Sequence, residues 1–255
     1  MAILTKNTVS GIVGGVIFSN RKGQVVITAK PRTVRQSAAT KSCSPIFGEA
    51  EFMKSVLIRK FNPDGRKFHD PTMHLRLKSM TSKILYASRV ADSGEPEFRE
   101  STFKALEGFN FNKGSLLEDS LPASPGIRFT SSEAVITIDD TAIASKLLFP
   151  PGAFFCSLKV TLACLRPAKR EYAVAEESRS AILKPGQQLD GPVEYRFQLP
   201  TGTVCLIGVA LDFYRPAGDF QVLLNSRSFN PSAISAVFLT PGNDTGGDGR
   251  KWRKY

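Results

Sequence analysis

Short apolar runs separated by Pro- and Gly-containing turns fill the chain from residue 105 onward. Turns such as residues 150–152 (PPG) and 184–186 (KPG) bound these runs, which is typical of β-strands. Eight strands are predicted, at residues 127–130, 133–139, 154–165, 171–176, 193–199, 203–214, 219–224 and 234–239. Their number and spacing favour an antiparallel β-sandwich or jelly roll.

The strongest of these strands is 203–214 (TVCLIGVALDFY). Apolar residues occupy both of its faces over 204–207, as expected for a strand in the middle of a sheet. Gly208 within it indicates a bulge or a close packing contact.

Two stretches before residue 105 have helical periodicity instead. The first begins near Ala50 and ends at the NPDG sequence of residues 62–65. In the second, Asp70 is placed to cap the helix and Pro71 to occupy its first position. The first apolar stripe contains Met53, Leu57 and Phe61, and the second contains Met73, Leu77, Met80, Ile84 and Ala87.

The N-terminal region begins with a predicted β-hairpin over residues 13–31. Two runs of strand length, residues 16–18 and 24–28, flank a turn that contains Gly23. Pro31 ends the second strand because proline cannot donate to a sheet ladder. The polar, basic residues 32–44 are interpreted as a linker or arm.

These patterns predict a mainly β, α+β fold: an antiparallel β-sandwich or jelly-roll-like body with an N-terminal hairpin and two amphipathic helices. The acidic residues 91–104 are interpreted as a flexible connection. The predicted domains are a basic N-terminal hairpin and arm (1–44), a helical segment (45–104), a β-sandwich domain (105–240) and a flexible basic-aromatic tail (241–255).

Positive charge is concentrated in the first third of the chain. Residues 1–90 contain 16 Lys and Arg against 4 Asp and Glu, whereas residues 91–120 contain 3 against 7. A field of this sign attracts polyanions such as nucleic acid, anionic lipid headgroups or an acidic protein surface. The alternative interpretation is that the positive charge binds no ligand and only increases the solubility of the protein.

We predict that nucleic acid contacts a set of basic residues and one aromatic residue. The alternative interpretation of the basic face of the second helix is a solvated surface opposite the core stripe. The hexapeptide 250–255 (RKWRKY) suits phosphate contact with base stacking, docking into a neighbouring subunit, or a solvated tail. The predicted contacts are Arg21, Lys22, Lys30, Arg32, Arg35, Lys41, Arg76, Lys78, Lys83, Arg250, Lys251, Trp252, Arg253 and Lys254.

No motif in the sequence indicates catalysis, a metal or a cofactor. The two histidines, His69 and His74, are five residues apart, which misses the i, i+4 spacing of a helical metal pair. No G-x-S-x-G elbow and no phosphate loop ending in G-K-S/T occurs. We therefore predict a protein that is not an enzyme.

The cysteines suggest a reducing compartment. Three of the four, Cys156, Cys164 and Cys205, lie in apolar runs and are predicted to be small buried residues. A Cys156–Cys164 disulfide is the alternative for an exported protein.

The run at 11–18 resembles a signal-peptide core but lacks a cleavage pattern, and no run is long enough for a membrane span. We expect the protein in the cytoplasm or in a virion, and secretion is not expected.

Three segments form a series along most of the chain. They are the hairpin residues Gly11, Gly14, Gly23, Val25, Val26 and Pro31, the string LEGFNFN at 106–112, and the strand LIGVALDFY at 206–214. In this order they resemble a family of uncharacterised proteins from Bacteroidota genomes. The resemblance implies an N-terminal hairpin, a β-sandwich end and a cytoplasmic or phage-related origin, but no activity. The basic-aromatic tail departs from the family pattern.

The leading hypothesis is a self-assembling structural protein, such as a phage or virus-like coat subunit. Its basic N-terminal region would neutralise packaged nucleic acid, and its terminal arms would reach neighbouring copies. One alternative is a nucleic-acid-binding module that does not assemble. Another is an exported β-sandwich adhesin or surface module.

Overall fold

The structure is a computed structural model in which the chain divides into two compact units, Met1–Ser44 and Pro45–Tyr255. The division falls where the predicted N-terminal hairpin and arm end. The structure describes residues 2–5, 8–21, 23–30, 36–61, 70–89, 97–122, 125–138, 146–174, 177–186, 191–243 and 249–254.

The first unit contains a four-stranded antiparallel sheet in which each strand pairs with the next along the chain. Its strands are β1 (Ala2–Thr5), β2 (Thr8–Val13), β3 (Val16–Arg21) and β4 (Gln24–Ala29). The predicted hairpin is confirmed as β3 and β4, whose pairs run from Val16–Ala29 to Arg21–Gln24. Gly23 takes a φ of +84°, and its amide donates to Asn20 Oδ1 at 3.0 Å. Strands β1 and β2 are additions to the predicted hairpin.

Helix α1 (Ala38–Phe61) begins inside the segment that was predicted to be a linker or arm. The Ser37 hydroxyl accepts a hydrogen bond from the Thr40 amide, and its carbonyl accepts one from the Lys41 amide. Ser37 therefore caps the helix, and the prediction of a linker over 32–44 is wrong from Ala38 onward. Residues 32–35 lie outside the described part of the chain.

The two predicted helices are confirmed, with changes at their ends. Helix α2 spans Met73–Ala87, and Thr72 is its N-terminal flanking residue. Pro71 therefore precedes the helix instead of occupying its first position, whereas the Asp70 side chain caps the turn that leads into the helix. Asp70 lies two residues earlier and accepts hydrogen bonds from the Thr72 amide and hydroxyl. Buried positions of the two stripes include Met53, Leu57, Phe61, Met73, Leu77 and Ile84, whereas Ala87 is exposed.

The second unit is built on an eight-stranded antiparallel sheet. Two long strands, β8 (Phe155–Arg166) and β12 (Val204–Ala217), pair along most of their length, from Leu165–Val204 to Phe155–Tyr214. This places the predicted central strand in the middle of the sheet. The sheet consists of β5 (Phe109–Asn110), β8 (Phe155–Arg166), β9 (Glu171–Ala173), β10 (Glu177–Leu183), β12 (Val204–Ala217), β13 (Phe220–Leu223), β14 (Ser232–Leu239) and β15 (Trp252–Lys254).

A smaller antiparallel sheet packs on one face of this large sheet, and the helices cover the other. The smaller sheet contains β6 (Gly126–Phe129), β7 (Glu133–Ile138) and β11 (Val193–Gln198). Alternate residues of β12 serve the two cores: Ile207 packs with the smaller sheet and Leu206 with α1 and α2. The predicted mainly β, α+β fold is confirmed as a two-sheet body with helices on its outer face.

Three segments differ from the predictions. Residues 91–96 of the acidic connection lie outside the described part of the chain, but α3 (Glu100–Phe103) and a 3₁₀ turn (Lys104–Leu106) follow. Phe103 and Leu106 are fully buried, so this part is a packed element. A short helix, α4 (Leu117–Ser120), and the edge strand β10 were not predicted.

The predicted tail is also partly wrong. Strand β15 pairs with β9, with Trp252 opposite Ala173 and Lys254 opposite Glu171. Residues 244–248 of the predicted linker lie outside the described part. The final described segment is thus an edge strand of the large sheet.

The three cysteines predicted to be buried are buried, and all four cysteines are free thiols. Cys156 and Cys164 are eight residues apart on β8, roughly 26 Å along a strand, which excludes the alternative disulfide. Cys164 and Cys205 lie opposite each other with their Sγ atoms 3.8 Å apart. The hydrogen bond between Cys164 and Cys205, together with burial, raises the pKa of the Cys164 thiol, and burial raises that of Cys156. Both thiols are therefore protonated and unreactive.

Among the described residues, no helix is long and apolar enough to cross a membrane.

Candidate assembly face and polyanion-binding surface

The structure separates the predicted nucleic-acid contacts into exposed residues and residues that hold the fold together. Arg21, Lys30 and Lys41 are exposed in the first unit, and Lys83 is exposed on α2. The other predicted residues of the described chain belong to α2 or to the C-terminal segment. Lys22, Arg32 and Arg35 lie outside the described residues.

Arg76 is part of a half-buried polar cluster. Its Nη2 donates to Asp70 Oδ2 at 2.5 Å and to the Asn110 carbonyl, and its guanidinium lies 4.8 Å from the Phe109 ring centre. Burial raises the pKa of Asp70, but hydrogen bonds from Thr72, Arg76 and the Lys113 amide outweigh it and bring the pKa well below its ordinary value. Arg76 therefore joins α2 to the large sheet rather than presenting a free charge.

Lys78 also has an acidic partner. Its Nζ lies 3.3 Å from Glu51 Oε2 of α1, and the Lys54 ammonium contacts the other oxygen of the same carboxylate. The hydrogen bond from Lys54 lowers the pKa of Glu51. Two cations thus share one carboxylate between the helices. Among the predicted contacts on α2, Lys83 is the one that is exposed.

Arg250 and Trp252 hold the C-terminal strand in place. Arg250 donates to both carboxylate oxygens of Glu177, with 2.8 Å from its Nε, and to the Gln198 carbonyl. The guanidinium of Arg166 lies 3.5 Å from the Trp252 ring centre. These contacts explain why β15 is attached to the sheet, and they occupy the aromatic ring that base stacking would have used.

The same strand assembles a cluster of exposed cations, which we call the basic edge. Arg253 lies opposite Tyr172, whose hydroxyl accepts a hydrogen bond from Arg59 Nη1 at 2.9 Å. Arg170 immediately precedes β9 and forms an ion pair with Glu49 at 3.3 Å. The basic edge consists of Arg59, Lys169, Arg170, Lys251, Arg253 and Lys254, all exposed.

The sequence predicted half of this cluster. Lys251, Arg253 and Lys254 were among the expected contacts, but Arg59, Lys169 and Arg170 were not. Their dibasic pairs at 59–60 and 169–170 are visible in the sequence. Their proximity depends on the pairing of β9 with β15 and on the contact between α1 and Tyr172, which the sequence does not show.

A cleft of about 680 Å³ lies between α2 and the segment around β5. Leu75, Met80 and Phe109 give it apolar walls. Two of its three charged residues have partners, because Arg76 bonds Asp70 and Glu107 accepts a hydrogen bond from the Val237 amide, and the third, Lys113, is exposed. No pair of groups there is arranged as a nucleophile and a base. Within the described ranges, no group of three His, Cys, Asp or Glu residues could hold a metal ion; His69 lies outside those ranges.

The sheet of the first unit has unusual exposure and charge. None of the described residues of this unit is buried, and its 44 residues include seven Lys and Arg but no Asp or Glu. An isolated sheet of this kind gains little from apolar burial. The first unit therefore presents a large apolar and basic surface.

The fold defines a mainly antiparallel β protein with a helix-covered two-sheet body and a separate exposed sheet. Comparison of the chain with protein-family models, curated proteins and solved structures finds no match.

Proposed function

We propose that the protein is a non-enzymatic, self-assembling structural protein, such as a coat subunit of a phage or virus-like particle, located in the cytoplasm or in a virion. One observation carries the proposal: the first unit has no buried residue among those described, and all of its formal charge is positive. Further apolar burial must come from a partner, because the unit supplies little itself. Contacts with neighbouring copies would bury the apolar side chains, and packaged nucleic acid would neutralise the positive charge.

The second unit supports the same proposal because it contains its own hydrophobic cores. Apolar side chains cover both faces of its large sheet and form cores with the helices and with the smaller sheet. It can therefore serve as the folded body of each subunit. The first unit would then make the contacts between subunits.

The test is the molar mass of the purified protein by light scattering at low and high salt. The ratio of absorbance at the nucleic-acid and protein maxima is recorded on the same sample. The proposal predicts a defined particle with co-purifying nucleic acid. A monomer at high protein concentration under both conditions would contradict it.

A nucleic-acid-binding module that does not assemble is the second candidate, and the basic edge favours it. Its cations come from segments that are distant in sequence, and β15 with the residue before it carries three of them on one exposed edge. The positive charges of the basic edge attract phosphate groups, and contact with phosphates releases counterions from the nucleic acid. This candidate requires that the second unit binds nucleic acid while the protein itself remains a monomer.

Replacing Lys251, Arg253 and Lys254 by Gln tests this candidate. If each contacts one phosphate, the slope of log affinity against log salt should decrease by about three. A matched variant replaces the exposed residues Lys146, Lys184 and Arg215 by Gln and should retain the slope. An equal decrease in both variants would show that only net charge matters and would remove the basic edge as a site.

A further inference from the structure

The strand register of the first unit separates its side chains into two different faces. Residues directly opposite each other in adjacent antiparallel strands point to the same side of a sheet. Phe18 lies opposite both Gly11 and Ile27, and Val16 lies opposite both Val13 and Ala29. The side that contains them, the apolar face, consists of Leu4, Val9, Val13, Val16, Phe18, Val25, Ile27 and Ala29, with Gly11 and Asn20.

The opposite side, the mixed face, is much more polar. Its described side chains are Ile3, Ser10, Ile12, Ile17, Ser19, Arg21, Gln24, Val26 and Thr28. Hydroxyl groups there bond to neighbouring strands, as between Ser19 and the Val26 carbonyl. The unit is therefore an amphipathic sheet with one surface suited to burial.

The apolar face is strongly exposed. Leu4 is 72% exposed, Ile27 61%, Val13 54% and Val25 45%. Four branched side chains exposed on one side of a small sheet exceed the scattered apolar residues of an ordinary surface. The face requires a cover.

We infer that the apolar face of one copy packs against the apolar face of a second copy, so that two sheets form a small sandwich between subunits. The inference rests on the proposed function and identifies its contact. The face has no charged side chain among its described residues, so it is complementary to itself without any opposite charge. The exposed cations next to it, Arg21 and Lys30, are on the mixed face or beyond the end of β4.

The size of the face indicates a weak contact that an assembly must repeat. Four strands about 4.8 Å apart and about six residues long cover roughly 400 Å² per copy, or about 800 Å² for a pair. A stable interface typically buries about 1,600 Å². A single pair would dissociate readily, whereas a particle with many such contacts would persist.

The test uses the full-length chain with two matched double variants. V25T/I27T places two hydroxyl groups on the apolar face, and I17T/V26T makes the same two exchanges on the mixed face. Threonine retains a high β-propensity, and circular dichroism verifies that strand content is unchanged. Light scattering across a series of protein concentrations should show assembly by the wild type and by I17T/V26T. V25T/I27T should need at least about tenfold more protein to assemble.

The other outcomes have separate meanings. A monomeric wild-type protein would refute the proposed function together with this inference. If the wild type assembles and V25T/I27T assembles equally well, only the inference is wrong. A loss of thermal stability in V25T/I27T without any change in assembly would show that the face is covered within one chain. Sedimentation of monomeric wild type, but not of V25T/I27T, with phosphatidylglycerol vesicles would identify a lipid-binding face and overturn the inference.

Discussion

Gly208 is the residue of the central strand that lies against the Phe61 ring of helix α1. A Cβ atom built on Gly208 would lie 2.3 Å from Cδ1 of Phe61, whose ring is buried. The sequence indicated a bulge or a close contact at this glycine, and the structure has both, because the β12–β14 register shifts between Ile207 and Gly208.

We predict that Gly208→Ala destabilises the protein by about 1–3 kcal/mol, because the Phe61 ring must move within a packed core. Urea unfolding measures this change. Gly48→Ala is the control, since Gly48 lies in α1 with no atom within 4 Å of the added Cβ, and it should be neutral or slightly stabilising. Phe61→Leu in the Gly208→Ala background should restore part of the loss, and strictly additive effects would contradict the contact.

Asp70 predicts a pH dependence of stability. Because its folded pKa is lowered by hydrogen bonds from Thr72, Arg76 and the Lys113 amide, its contribution is present above the unfolded pKa of about 3.9. That contribution is lost as the pH decreases toward the lower folded pKa. Asp70→Asn should cost on the order of 2 kcal/mol at pH 7, and its difference from wild type should shrink below about pH 4. Urea unfolding at several pH values measures this, and a constant difference down to about pH 2 would contradict it.

At the scale of elements, the attachment of β15 is the clearest departure from the predicted tail. Trp252 is the single tryptophan of the chain, so its fluorescence reports on this strand alone. We predict that the native indole is shielded from acrylamide by Arg166 and by the pairing with β9. Arg250→Ala should increase quenching, because the ion pair with Glu177 is lost.

Arg253→Ala is the matched control for this experiment. Arg253 lies on the same strand but is exposed, and no ion pair with another described residue holds it. Quenching in this variant should match that of the wild type. If the native wild type were quenched as strongly as the urea-unfolded chain, β15 would not be docked in solution.

Local patterns predicted the elements whose stability comes from their own residues. Strand β12 and the stripes of α1 and α2 are visible because burial repeats with the period of the element. Strand β15 has no such pattern, and its pairing depends on β9, about 80 residues earlier in the chain. Strand β10 was missed because its exposed edge position leaves mostly polar residues in the sequence.

The candidate surfaces were predictable only in part for the same reason. The sequence identified an excess of positive charge, but it could not show that Arg76 and Arg250 have buried or half-buried acidic partners. It also could not bring Arg59 and Arg170 beside β15. Charge composition is set by the sequence, whereas the presence of a free charge depends on tertiary contacts.

At the scale of the whole molecule, the two units differ in how much apolar surface each buries within itself. The second unit buries both faces of its large sheet. The first has one apolar face and seven formal positive charges on 44 residues. Packing two first units together would therefore bring like charges close to one another, and this repulsion opposes the gain from apolar burial.

Salt should consequently act in opposite directions on the two processes. Without nucleic acid, added salt screens the repulsion between first units and should strengthen assembly, since the screening length decreases to about 8 Å at 0.15 M. With nucleic acid, the polyanion neutralises the same charges, so co-assembly should be strongest at low salt and weaken as salt rises. Light scattering of nuclease-treated protein and of protein with added single-stranded DNA, across one salt series, measures both trends. Assembly that weakens with salt in both samples would show that charge attraction, rather than the apolar face, holds the copies together.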